Sequence, residues 1–177
     1  MILPIVAYGA PVLKKEAAEI SKDYPNLDQL IENMWETMYA SNGVGLAAPQ
    51  IGLSIRLFVV DTAPFSGDDE LDELEAIKLK SFKKVFINPE LIEEDGPIWE
   101  FNEGCLSIPD VREDVSRHDR IMIHYFDEQF EEQRLMLTGI SARVVQHEYD
   151  HIEGVLFTDH LTPCLLYTSP SPRDVEE

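Results

Sequence analysis

The chain has 177 residues, 44% of them apolar, which is enough for one domain with a buried core and too few for two of ordinary size. Acidic residues outnumber basic ones 34 to 14, and the formal charge of −20 would repel phosphates wherever it is evenly spread, which argues against a broad nucleic-acid-binding face. No apolar run reaches membrane-spanning length, the N-terminus lacks a basic stretch followed by an apolar one, and only Cys105 and Cys164 are present, so a cytoplasmic protein with no membrane partner and no disulfide framework is expected.

Leu27, Leu30, Ile31, Met34 and Met38 fall on one face of a helix. Asn26 and Gln29 resemble a capping box at its start, and Gly43 and Gly45 supply its stop. Leu57, Phe58, Val59 and Val60 read as a strand, and residues 64–75, acidic and with little to bury, read as a solvated loop. Val85, Phe86 and Ile87 form a short strand closed by Asn88 and Pro89. Ile121, Ile123 and Tyr125 then alternate with Met122, His124 and Phe126 as in a half-buried strand. Asp127, Glu128 and Gln129 make a hairpin loop into a strand over 130–137. Residues 141–152, free of Gly and Pro and bounded by Gly139 and Gly154, form a helix. The expected fold class is α+β, with mostly antiparallel strands packed around a C-terminal helix.

That last helix carries His147, Glu148, Tyr149, Asp150 and His151. Four residues apart, the two imidazoles share one helical face, about 6 Å from each other at Cβ, so one metal ion can take both. Glu148 follows the first ligand yet points to the side, where its carboxylate can act as general base on a water held at the ion. Two histidines on an acidic surface helix are the plainer alternative. Catalytic sites of this kind use three protein ligands and keep one position open. Where one large group of metallopeptidases places a third His stands Phe157, and beyond Glu153 the only Glu residues are Glu176 and Glu177, so both downstream-ligand readings lose support.

Upstream, Cys105 lies in Glu103-Gly104-Cys105-Leu106-Ser107. A dication would ionise its thiol and gain a negative ligand, although an inert buried thiol fits the sequence equally well. Gly43-Val44-Gly45-Leu46-Ala47-Ala48-Pro49-Gln50 combines glycines that allow close backbone approach with an amide donor in Gln50. It has neither the Lys nor the spacing of a phosphate loop, and a plain turn is its simpler reading.

Together with Gln146-His147-Glu148-Tyr149-Asp150-His151, these two segments resemble, in order and separation, the three motifs of the peptide deformylases. The match extends from Ile2 to about Pro163. The resemblance implies hydrolysis of the formyl group from the N-terminal formyl-methionine of new polypeptides, releasing formate, with Fe²⁺ as the native ion and Ni²⁺, Co²⁺ or Zn²⁺ as substitutes. It makes Cys105, His147 and His151 the metal ligands and Glu148 the proton shuttle. Gln50 and the backbone N–H of Leu106 would meet the oxyanion. Val44, Ile140, Arg143 and Val144 would line the methionine pocket, and backbone near Gly43, Gly45 and Gly104 would align the peptide as an added strand. N-formylated nascent peptides are the implied partners; the sequence does not decide whether the ribosome itself is touched.

Two rivals stay in view: a metallopeptidase that uses Glu148 on an internal amide, and a noncatalytic metal-stabilised or peptide-binding module. The missing downstream ligand weighs against the first, and the retention of Glu148 and Gln50 against the second. From Cys164 the character changes, and residues 164–174 can be encoded by a stretch that resembles a transposase sequencing adapter. A single catalytic domain over 1–163 with a non-native tail over 164–177 is therefore expected.

Overall fold

The computed structural model describes residues 1–7, 9–105 and 108–155. Leu106, expected at the oxyanion, lies outside the described residues, as do the expected boundary at 163 and the tail over 164–177.

In chain order the elements are α1 (Leu27–Ala40), β1 (Gly45–Ala47), β2 (Leu57–Asp61), α2 (Glu73–Ser81), β3 (Lys83–Cys105), β4 (Ile108–Phe126), β5 (Glu132–Thr138) and α3 (Gly139–Ile152). The strands pair antiparallel in sequential order, β1 to β5, and the architecture is α+β as the periodicities imply. Successive residues of a strand face opposite ways, and β2 uses both faces. Phe58 and Val60 join Phe86, Ile121, Ile123, Val145 and Ile152 in a core shared with α3. Leu57 and Val59 join Val85, Ile87, Ile31, Met34 and Met38 in a second core shared with α1. Each such side chain, once fully buried, contributes roughly 1.5–3 kcal/mol over leaving it in water, so the two helices are held to the sheet chiefly by these stripes.

The ends of α1 differ from expectation. Asn26 has φ 54°, a left-handed conformation rather than the extended one of a capping residue, and its side chain makes no cap bond; the Gln29 amide donates to Asn33 Oδ1 instead, at 2.9 Å. The stop is Asn42, at φ 57°, after which the Gly43 N–H returns to the Met38 carbonyl at 2.9 Å. The acidic stretch is also more ordered than a loop. Ala63–Gly67 forms a 3₁₀ turn, and α2 opens at Glu73 with Asp72 accepting the Glu75 N–H at 2.8 Å. Acids in its first turn and Lys78 and Lys80 in its last suit the helix dipole, whereas Leu74 and Ile77 stay exposed.

The strand expected to close at Pro89 runs on to Cys105. Register shifts between Ile87 and Glu90 and between Asp95 and Ile98 absorb Pro89 and the Gly96-Pro97 pair as bulges, with Asn88 at φ 49°. β4 and β5 follow the expected hairpin through residues 127–131, the second strand starting at Glu132, two residues later than expected. α3 begins at Gly139, two residues early, and ends before Gly154. That glycine has φ 76°, and a side chain on it would stand 2.8 Å from the Lys14 carbonyl oxygen.

Candidate active site

The end of β3 and the inner face of α3 meet beside β1. Glu103 and Cys105, two apart on β3, both reach α3, where Arg143, His147 and His151 follow one another at one-turn intervals. One ligand atom from each of Cys105, His147 and His151 lies within 4.8 Å of the other two. The Cys105 Sγ is 3.3 Å from His151 Nε2, and the two imidazole rings stand 5.1 Å apart at 72°. Both histidines are buried.

Glu148 extends sideways beneath β1. It is 4% exposed, its Oε1 has no hydrogen-bond partner, and burial pushes its pKa up to about 7. A Cβ on Gly45 would lie 2.6 Å from Glu148 Oε2, so it is the bare backbone at 45 that gives the carboxylate its place. A carboxyl poised near neutrality with an uncommitted oxygen is suited to take and return a proton. Gln50, also buried, has its carbonyl fixed by the Ala47 N–H at 2.9 Å, which turns its amide nitrogen to Cys105 Sγ at 3.4 Å.

Behind His147 lies a charge cluster that no spacing in the sequence brings together. Glu103, 5% exposed, accepts from Arg117 Nε at 2.8 Å and Nη2 at 3.0 Å, from Arg143 Nη1 at 2.9 Å, and shares a 2.8 Å bond with His147 Nδ1. Arg117 also donates to Asp150 at 2.8 Å. Burial pushes the Glu103 carboxyl up, but the bonds to His147 and Arg117 outweigh it and hold the group well below the ordinary carboxylate range. Glu103 opens the motif that contains Cys105, and its place two residues before a ligand, on the same strand face, is the signal in the sequence.

A divalent transition ion fits these residues. Nδ1 of His147 is committed to Glu103, which leaves Nε2 for the ion, the usual arrangement for a ligating histidine. Burial works against a charged His147, yet its bonds to Cys105 and Glu103 raise its pKa to about 10, so an ion would displace a proton there. Burial and the neighbouring His147 lower that of His151 well below its ordinary value, keeping it neutral as a ligand must be. One sulfur and two imidazole nitrogens suit iron, nickel, cobalt or zinc, and at tetrahedral bond lengths such donors sit about 3.5 Å apart.

A cavity of about 400 Å³ opens on this centre, lined by Gly43, Val44, Phe65, Phe101, Gly104, Cys105, Arg143, Val144, His147 and Glu148, among others. Of the residues expected at the methionine pocket, Val44, Arg143 and Val144 border it. Ile140 packs against the core beneath α3 and is outside that lining. Arg143 borders the cavity while its guanidinium is turned inward to Glu103, the Val115 carbonyl and the Trp99 carbonyl. It stands four residues before His147, on the same helical face, which directs it behind that ligand.

The model of the polypeptide deformylase family matches residues 2–165. The chain belongs to this family. It is 62% identical over 162 residues to a peptide deformylase of Christiangramia forsetii, covering 92% of this chain and 83% of that one. Among solved structures it is similar to the peptide deformylase of Thermotoga maritima, with a TM-score of 0.78 and 39% identity over 92% of this chain and 99% of that one. It is also similar to the Met-Ala-Ser-bound class I type b peptide deformylase of Acinetobacter baumannii, with a TM-score of 0.80 and 34% identity over 91% and 99% of the two chains. Deformylase membership assigns the reaction: removal of the formyl group from nascent polypeptides by a metal-dependent hydrolase.

Proposed function

We propose that the reaction runs on the N-terminal formyl-methionine of new polypeptides, with Cys105, His147 and His151 holding the ion and Glu148 moving the proton. The observation that carries this reading is the approach of three donor atoms to within 4.8 Å, beside a buried carboxyl that fits only under Gly45. When bound, the ion supplies Lewis acidity, polarising the formyl carbonyl and acidifying water. Glu148, near neutral pKa and with Oε1 uncommitted, takes the proton of the attacking water and returns it to the departing amine. The Gln50 amide, its carbonyl tied to Ala47, donates to the developing oxyanion together with the Leu106 N–H; losing one such donor typically costs about 3 kcal/mol of transition-state stabilisation. Apolar groups of Val44, Phe65, Phe101 and Val144 receive the methionine side chain, and backbone at Gly43, Gly45 and Gly104 aligns the peptide beside β1. The Met-Ala-Ser bound to the Acinetobacter baumannii relative supports a peptide with methionine first.

Fe²⁺ is the proposed native ion, as membership of the deformylase family implies, and the thiolate-and-imidazole donor set admits it alongside nickel, cobalt and zinc. We further assign residues 1–163 to one catalytic domain, supported by the span of the family match, and place the activity in the cytoplasm, where nascent chains are met. The test is formate release from a formyl-Met peptide by anaerobically prepared, Fe²⁺-loaded protein. Formate is expected from the formylated peptide and no cleavage of its unformylated, internally intact counterpart; internal cleavage without formate would overturn the assignment.

A further inference from the structure

Arg143 is 2% exposed, yet it is tied both to the metal centre and to the wall of the cavity. On one side, its Nη1 holds Glu103 Oε2 at 2.9 Å while His147 Nδ1 holds Oε1 of the same carboxylate at 2.8 Å. Two residues one helical turn apart therefore grip the two oxygens of one strand carboxylate. On the other side, the guanidinium lies against the Trp99 ring, 4.6 Å from its centroid, and 5.8 Å from that of Phe101. Its Nη2 donates to the Trp99 carbonyl at 2.6 Å and its Nη1 to that of Val115 at 2.7 Å, pinning β3 to β4 at this point. Phe101 borders the cavity and packs edge-on against Trp99 at 5.5 Å and Phe65 at 6.1 Å. Arg117 gives Glu103 two bonds and Asp150 a third, so Arg143 balances the second carboxylate of the cluster, but its charge alone does not account for its contacts with the aromatic wall. What Arg143 adds is geometry, since a planar fork can hold a carboxylate, two carbonyls and an aromatic face at once, which an ammonium cannot.

We propose that Arg143 is a positioning residue that links the aromatic wall of the substrate cavity to the ligand His147 through Glu103. The inference rests on the metal-site reading above. A change in the aromatic wall is then felt at the ion through Arg143 and Glu103.

The test uses the full chain loaded with Co²⁺, whose dissociation constant is read by chelator competition and whose thiolate charge-transfer and ligand-field bands report the coordination. Arg143→Met is expected to weaken Co²⁺ binding by about tenfold or more and to shift the ligand-field bands, as losses behind a ligating histidine do. Arg143→Lys keeps the charge beside Glu103 and should fall between the two, giving a readout if the Met variant fails to fold. Trp99→Leu removes the stacked face without touching Glu103 or His147. It should weaken Co²⁺ by on the order of a few-fold in the wild-type background and leave it unchanged in the Arg143→Met background. A wild-type protein that takes Co²⁺ without a thiolate band overturns the metal-site reading and this inference with it. A normal wild-type spectrum with unaltered affinity and bands in Arg143→Met and Arg143→Lys, or an equal Trp99→Leu effect in both backgrounds, overturns this inference alone.

Discussion

Replacing Gly45 with alanine is the smallest change that reaches Glu148. The backbone at 45 is not left-handed, so alanine adopts it freely and gains roughly 0.4–1 kcal/mol through a less mobile unfolded chain. Against this, the new methyl would stand 2.6 Å from Glu148 Oε2 and 2.8 Å from both Cδ and Cγ, where ordinary contact begins near 3.4 Å. Glu148 is 4% exposed, so its side chain has to move against packed neighbours, and overpacking of this size costs about 1–3 kcal/mol. The net loss of about 0–2.6 kcal/mol, centred near 1.3, corresponds to a fall of about 3–5 °C in Tm at its centre for a chain of this length. A carboxylate displaced by close to an ångström should lower kcat on the order of a hundredfold, because proton transfer depends on placement. Thermal unfolding and formate release, each measured at matched metal content, read the two effects. In the Glu148→Ala background the methyl has room, so the added Gly45→Ala change should cost no stability. An equal Tm loss in both backgrounds, or a kcat within twofold of wild type at full metal content, would refute the argument that Gly45 is small for the sake of Glu148.

Glu148→Ala alone should retain one equivalent of metal by elemental analysis and lose most formate release; substantial turnover in the metal-replete variant would count against the proton-carrying role. Glu103→Gln leaves two buried guanidiniums facing a neutral amide, and an expected loss of about 3–5 kcal/mol should accompany a 10- to 100-fold weaker metal site, read by denaturation and chelator competition. Because the folded Glu103 carboxyl lies below its unfolded value, its stabilisation is complete above the unfolded pKa of about 4.3 and drains away as pH falls through the folded value; acid titration of Glu103→Gln should therefore show a shallower loss below about pH 4. With Fe²⁺ bound by a thiolate, activity should decline during aerobic exposure and persist in the Ni²⁺-loaded protein; equal persistence of both would argue against iron at this site.

The elements most legible in the sequence are those whose apolar residues carry a period. Met34 and Met38 announce α1, and Ile121, Ile123 and Tyr125 announce the inner face of β4, because burial on one side writes a repeat. α2 has no such repeat: Leu74 and Ile77 face water, and the helix is held by its Asp72 cap, its charged ends and one buried residue, Leu79, whose carbonyl accepts from Thr62. The length of β3 was hidden because Pro89 and Gly96-Pro97 look like terminators, and whether a proline ends a strand or sits in a bulge is settled by pairing with β4, which is non-local. At the site, the paired histidines follow from helix spacing, whereas Cys105 needed a resemblance to raise it above a buried thiol. The role of Glu103 and the choice of acid for Arg117 are not legible, because a buried carboxylate and a surface one read alike until the partner strand is in place. Arg143 was expected at the cavity, and it does border it, but its guanidinium faces away into the charge cluster.

The long β3–β4 hairpin also makes the centre sensitive to how the strands align. Cys105 and Glu103 alternate with Gly104 along one strand, so a slip of a single residue would swing the sulfur and the imidazole's anchoring carboxylate outward together and bring a bare glycine to the helix in their place. A mispaired hairpin would leave only the two imidazoles of α3. It would lose both groups at once, so alignment of the hairpin and competence to capture the ion should appear in the same folding step.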